Sequence, residues 1–491
     1  MDTYDLTLLT DLYELTMLQG YFKEKSANET AIFDAFYRKN PLGSAYSICA
    51  GLEQVISYIN NLRFKEDDIE YLRSLKIFDE DFLMYLKDFK FTGDIYAIPE
   101  GSVMFPREPF IKIIAPIMEA QFIETAILNI INHQSLIATK ASRVVYSAGG
   151  DNVMEFGLRR AQGPDAGVFG ARAAVLAGCS STSNVLAGKL FNIPVSGTHA
   201  HSWIMSFPGE LEAFRAYAKI YHNPCILLVD TYDTLNSGVK NAITVFKELK
   251  ESGVELKKYG IRLDSGDLAY LSKKARKMLD EAGLNDAIIS ASNDLDENII
   301  NSLKLQGAKI DLWGVGTSLI TSKDCPSFGG VYKLSAIMDK NSGEFIPKIK
   351  LSENAEKITN PGNKKIYRIY DKANHKIIGD LICFVDEVFE EDKDLHLFDP
   401  IDTWKKTVLK AGKYTLRELM VPVFKNGKQV YKSPDVMEIR EYCKTEFNSL
   451  WDESKRLEYP HIPYVDLSQK LWDEKNRLLS QYHDLKGSTY V

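Results

Sequence analysis

Two histidines stand two residues apart in the segment GTHAHS (197–202), His199 and His201, behind a Gly-Thr pair. In an extended segment that spacing places both rings on one side. A metal site would want a further His or Cys ligand, and none lies nearby in the sequence. The Gly197 backbone and the Thr198 hydroxyl suit an anion instead, so a nucleophilic or acid–base histidine is the chemistry expected here.

Three further segments carry matching groups. GVGTS (314–318) follows the apolar run IDLW. Around Gly316 and Thr317 its backbone can offer successive N–H groups to a phosphate, although a tight strand-to-helix turn would ask for the same glycines. GIRLDSGDL (260–268) puts Asp264 and Asp267 on one turn, where carboxylates could hold ribose hydroxyls or a phosphate-bound Mg²⁺. These two are the candidate metal ligands, with a helix N-cap as the alternative role. Arg262 alternates with Ile261 and Leu263 and is expected to face an interior, where its charge needs an anion. EFGLRRAQG (155–163) supplies Glu155 and the adjacent Arg159 and Arg160, of which one can clamp a phosphate while the other makes an ordinary salt bridge.

Such groups need a scaffold that gathers them. Apolar runs ending in small or polar residues recur at VMEFGLRR, IPVSGTHAH, CILLVDTYDT, YGIRLDSGDL, AIISASNDL and IDLWGVGTSL. Their marker positions Glu155, Thr198, Asp230, Asp264, Ser292 and Gly316 lie 43, 32, 34, 28 and 24 residues apart, the pitch of βα units. Between them NAITVFKELKESG and LSKKARKMLDEAG read as amphipathic helices closed by glycine. Alternating βα units imply a parallel sheet, and a barrel is favoured because the marked strand ends then converge on one mouth. The expected organisation is an N-terminal α+β domain (1–120), one linking helix (121–147), an α/β barrel with the active site (148–340), and a peripheral β-rich segment with a helical tail (341–491).

Bulk properties narrow the class. A chain of 491 residues exceeds what one core usually serves. A formal charge of -7 leaves no electrostatic footprint for nucleic acid. Six scattered cysteines form no CxxC pair, which suits a reducing compartment. The N-terminus carries acids where a signal peptide needs a basic region, and no apolar run is long enough to span a bilayer, so no membrane partner and a cytoplasmic location are expected.

Taken together, EFGLRRAQG, GTHAHS, DTYDT, RLDSGDL and GVGTS, with DLYELTM near the N-terminus and ETAILNIINHQSLIATKASR, resemble the nicotinate phosphoribosyltransferase family over most of the chain. The resemblance implies an irregular type II phosphoribosyltransferase α/β barrel beside an N-terminal α+β domain, in a homodimer with sites at the subunit interface. It implies formation of nicotinate mononucleotide and pyrophosphate from nicotinate and 5-phosphoribosyl 1-pyrophosphate, the first step of NAD salvage from nicotinate. ATP would be a co-substrate and Mg²⁺ a cofactor, with no tightly bound organic cofactor.

By position in the family's motifs, His201 would be transiently phosphorylated and Thr198 would touch substrate. Tyr13 would stack on the ring, Arg262 would answer the nicotinate carboxylate, and Thr317 would contact the phosphoribosyl phosphate. Nicotinamide and quinolinate are the neighbouring substrates. Arg262 favours a carboxylate over an amide, while quinolinate would demand further cations. A non-catalytic ligand sensor and a sugar-phosphate lyase are the readings from other classes, and the second would want a Schiff-base Lys or a metal cluster at a strand end.

Overall fold

The computed structural model describes residues 5–352, 354 and 357–487. It forms two compact units, one from Met1–Leu136, Ser327–Pro434 and Tyr442–Val491, the other from Ile137–Pro326 and Asp435–Glu441. The sequence-based division into four successive parts therefore differs from the observed one. The N-terminal and C-terminal regions build one unit, and the second unit's long segment ends at Pro326 instead of 340.

In the first unit, TAIFDAFY has apolar side chains on both faces and is buried along most of its length, so it occupies an interior position in a seven-stranded sheet. This strand, Thr30–Tyr37, pairs antiparallel with Gly330–Met338 on one side and Ile111–Pro116 on the other. A second, four-stranded sheet centres on the hairpin Lys364–Asp371 and Ile377–Phe384. Its turn is set by the Asp371 carboxylate, which accepts from the backbone N–H groups of Ala373 and Asn374. Arg368 and Asp380 face each other across this hairpin as a wholly buried ion pair, with Nη2 to Oδ2 at 2.6 Å. Glu446 lies 3.3 Å from the same guanidinium.

The expected linking helix starts later than its periodicity suggests. A short helix, Ile117–Phe122, stops at Ile123, and a separate 25-residue helix runs Glu124–Ala148. The break has a polar cause. The buried Glu14 carboxylate accepts the Thr125 backbone N–H at 3.0 Å and the Thr125 hydroxyl at 2.8 Å, satisfying first-turn donors of the new helix.

The second unit holds six parallel strands in the spatial order Ser181–Thr182, Asn152–Glu155, Leu312–Val315, Ile288–Ala291, Tyr259–Leu263 and Cys225–Leu228. Helices follow the strands as the amphipathic runs require, including Val239–Glu251 and Leu268–Glu281, with Gly253 and Gly283 in the left-handed region just beyond their ends. Five of the six expected strands form. The sixth, at IPVSGTHAH, is reduced to one parallel bridge between Val195 and Thr182. Pro194 brings no N–H to a ladder, so the segment makes two backbone bonds, Thr182 N–H to Pro194 O and Ser196 N–H to Thr182 O, and then turns away.

That segment spans the seam of the curled sheet. Val195 touches the edge at Thr182, and His199 Nε2 accepts from the Leu228 backbone N–H of the opposite edge at 3.3 Å. Among the described residues all six cysteines are free thiols, and no helix is long and apolar enough to cross a membrane.

Candidate active site

The strand ends of the second unit converge on Arg262. In YGIRL the side chains alternate, and Arg262 points to the polar side while Ile261 and Leu263 are buried. Its Nε donates to Ser292 Oγ at 2.8 Å, Nη1 to Thr198 Oγ1 at 2.8 Å, and Nη2 to Asp264 Oδ1 at 3.0 Å. The anion demanded by an inward arginine is thus Asp264. One guanidinium ties the GTHAHS segment to two adjacent strand ends and packs 5.7 Å from the Phe156 ring centroid. Burial pushes the Asp264 carboxyl up, but the Ser292 hydrogen bond and the Arg262 charge outweigh it and hold the group below the usual carboxylate range.

His201 opens the short helix His201–Met205 and is part-exposed. Its Nδ1 lies 3.1 Å from Thr231 Oγ1. Nε2 is 3.7 Å from Asp264 Oδ2 and 3.9 Å from Asp230 Oδ1, too far for hydrogen bonds but close enough for charge to matter. Asp230 is fully buried in its side chain, and its Oδ2 accepts from the Asp264 backbone N–H and from Ser265 Oγ. Among the described residues its Oδ1 has no hydrogen-bond partner.

The two histidines have separate surroundings, contrary to the spacing argument, because the chain stops being extended at Ala200 and becomes helical at His201. His199 is buried and stands edge-on to Tyr217 with ring centroids 4.6 Å apart. Burial pushes its pKa down to about 4, opposed by a backbone bond at Ala200 and assisted by the positive charge of Arg262. His199 is therefore a neutral imidazole whose Nε2 is an acceptor.

The remaining expected residues fall into several settings. Glu155 is buried, accepts from Thr182 Oγ1 at 2.6 Å and from the Gly157 backbone N–H, and is pushed up by burial. Asp267 accepts the Tyr270 backbone N–H at 2.9 Å and caps the helix Leu268–Glu281. Arg159 and Arg160 sit exposed on the turn Leu158–Arg160, without a carboxylate in ion-pair distance among the described residues. Gly316 precedes the short helix Thr317–Ile320, on which Thr317 is exposed. The other glycine of GVGTS has a packing reason, since a Cβ on Gly314 would stand 2.8 Å from the Phe156 ring. Tyr13 belongs to the first unit, on the helix Leu12–Lys23, exposed, with its hydroxyl 3.5 Å from Glu14 Oε1.

Asp230 and Ser292 entered the sequence reading as strand-end markers without a role, and Thr231 and Phe156 not at all. Their position next to the marked residues was the available signal. Among the described residues, no three His, Cys, Asp or Glu side chains are grouped to hold a metal ion.

A curled parallel sheet with its polar strand ends gathered on one side, accompanied by an α+β unit, is the irregular type II phosphoribosyltransferase fold. The solved human nicotinic acid phosphoribosyltransferase superposes with a TM-score of 0.83 at 29% identity, covering 96% of this chain and 100% of that one. Family models match for the nicotinate phosphoribosyltransferase N-terminal domain over residues 8–132, the family proper over 152–357 and the C-terminal domain over 363–475. The chain is 47% identical to the Bacillus subtilis nicotinate phosphoribosyltransferase over 98% of its own length and 96% of that protein's. It is 32% identical to the human nicotinate phosphoribosyltransferase over 94% and 95%. The chain belongs to the nicotinate phosphoribosyltransferase family and is an enzyme of that class.

Proposed function

We propose that the enzyme forms nicotinate mononucleotide and pyrophosphate from nicotinate and 5-phosphoribosyl 1-pyrophosphate, coupled to ATP through transient phosphorylation of His201. The carrying observation is the environment of that imidazole. Thr231 Oγ1 next to Nδ1 can accept its proton and fix the tautomer, which leaves the Nε2 lone pair free. Nε2 then attacks the γ-phosphorus of ATP, the N–P bond forms, the bond to the β–γ bridging oxygen breaks, and ADP leaves. Asp230 and Asp264 lie on the Nε2 side and stabilise the positive charge the ring acquires.

The pentosyl transfer needs little from acid–base groups. The ring nitrogen of nicotinate attacks the anomeric carbon as pyrophosphate departs, so the protein's tasks are positioning and charge stabilisation. Arg262 has two further N–H donors beyond its three protein bonds, which suit a carboxylate of the substrate. Thr198, held by Arg262, lies beside it as a substrate contact. Glu155, Asp264, Arg159, Gly316 and Thr317 complete the expected substrate-binding set. Tyr13 would stack on the nicotinate ring, with homodimer formation supplying interface sites.

The residues fit a Mg²⁺ ion carried in on phosphates. Asp230 Oδ1 is unpartnered and Asp264 keeps one oxygen clear of Arg262, a hard-oxygen pair typical of metal bound by one or two carboxylates. Asp267, occupied as a cap, fits less well. When bound, Mg²⁺ would neutralise phosphate charge.

The test is acid-labile labelling from ATP carrying radioactive γ-phosphate, with the label mapped to the peptide containing His201. The reading is lost if wild-type protein takes up no label, or if His201→Ala keeps both the label and the coupling of ATP hydrolysis to mononucleotide formation.

A further inference from the structure

Tyr13 stands on the first turn of the helix Leu12–Lys23 with 45% of its surface accessible. Leu15 and Leu18 bury the opposite side of that helix. Packing alone does not fix the direction of a ring that is nearly half exposed. The N-cap residue, Asp11, makes no side-chain cap bond, so the first turn is held from outside the helix.

Glu14 does the holding. Its side chain is 0% exposed and accepts from the Thr125 backbone N–H at 3.0 Å, from the Thr125 hydroxyl at 2.8 Å and from the Thr10 hydroxyl. The Thr125 hydroxyl also lies 3.1 Å from Asp11 Oδ2. One residue in the first turn of the helix Glu124–Ala148 therefore grips the chain on both sides of Tyr13.

The Tyr13 hydroxyl faces the same group. It stands 3.5 Å from Glu14 Oε1 and bonds the Glu124 carboxylate, which Gln121 Nε2 holds at 2.8 Å. Desolvation, helped by the charges of Glu124 and Glu14, pushes the Tyr13 phenol up, so it stays protonated as a donor. All of these residues belong to the first unit.

We propose that Glu14 is a positioning residue for nicotinate: by seating the first turn of Leu12–Lys23 on Thr125, it sets the direction of the Tyr13 ring. The assignment rests on Tyr13 being the residue that stacks on the pyridine. Glu14 itself, buried behind the ring, acts only through it.

Steady-state kinetics of the full-length enzyme, run well below the Tm of every variant, test this. Glu14→Leu removes the acceptor and is expected to raise KM for nicotinate about tenfold, with kcat and KM for 5-phosphoribosyl 1-pyrophosphate within about twofold of wild type. Glu14→Gln keeps an oxygen for the Thr125 donors and should recover most of that KM. Burial pushes the Glu14 carboxyl up to about 7, so its neutral form is populated near neutral pH and an amide is a fair replacement. Thr125→Val removes one donor at nearly constant volume and should raise the same KM about threefold.

The decisive comparison is with Tyr13→Ala. That variant should raise KM for nicotinate, and adding Glu14→Leu or Thr125→Val to it should raise KM no further. An unchanged nicotinate KM in Glu14→Leu, or in Thr125→Val where Glu14→Leu does not fold, overturns the proposal. So does a parallel rise in KM for both substrates, or effects that multiply in the double variant. An unchanged KM in Tyr13→Ala alone removes the stacking role, and with it the proposal, whatever the Glu14 variants do.

Discussion

His199 Nε2 accepts the Leu228 backbone N–H across the seam of the parallel sheet, so an edge strand finishes its hydrogen bonding on an imidazole where another strand would ordinarily lie. The His199 ring, two residues before His201, is therefore part of the wall. It must also be neutral, because a protonated Nε2 cannot accept.

This gives a pH dependence with a definite sign. His199 has a folded pKa near 4, below its ordinary 6.5, so the unfolded chain binds the extra proton first. The stabilisation is complete above pH 6.5 and is lost as pH falls toward 4, by up to about 3 kcal/mol for a shift of this size. Denaturant titrations at pH 7 and pH 5 should show a steeper loss for wild type than for His199→Gln, which keeps an acceptor without a titrating ring. Equal slopes would refute the assignment.

Arg262→Lys should be far from conservative. A lysine cannot reach Ser292, Thr198 and Asp264 together as the planar guanidinium does. We expect KM for nicotinate to rise about tenfold or more and the preference over nicotinamide to narrow, with some loss of Tm from the partners left unpaired. Steady-state kinetics with both pyridines would show it, and an unaltered KM would place the carboxylate elsewhere.

Two glycine substitutions should behave differently. Gly314→Ala puts a methyl group against the Phe156 ring, on which Arg262 rests, and should lower both activity and Tm. Gly197→Ala meets nothing within 4 Å and has no left-handed φ, so its stability should stay within about 0.5 kcal/mol of wild type. Parallel thermal melts and turnover assays compare them.

Asp380→Asn should destabilise the first unit by about 3–5 kcal/mol, because it strips the buried Arg368 of its principal counter-charge. Glu446, the second carboxylate at that guanidinium, keeps the loss near the lower end. Urea unfolding followed by tryptophan fluorescence measures it, and a loss below about 1 kcal/mol would mean that Glu446 suffices.

The βα series was legible because hydrophobic runs and acidic or Gly/Thr strand ends are local patterns. Asp264, Thr198 and Arg262 could be marked from their own segments. What joined them was not visible, since the contacts of Arg262 with Thr198 and Ser292 bridge 64 and 30 residues. The same limit hid Asp230 as the residue that holds the Asp264 turn. The strand expected at IPVSGTHAH failed because periodicity counts apolar residues but not backbone donors, and Pro194 supplies none. Asp267 looked like a carboxylate for chemistry and proved to be a cap, a role its sequence allowed equally well.

The sheet of the first unit joins strands distant along the chain. Thr30–Tyr37 lies between Ile111–Pro116 and Gly330–Met338, so nearly three hundred residues separate two neighbours in one ladder. On the ribosome, these two N-terminal strands emerge long before the strand that must flank them. They wait with an unpaired edge while the barrel segment is synthesised, and such an edge invites pairing with another nascent chain. Yield of native protein should therefore depend on what shields residues 30–37 during synthesis.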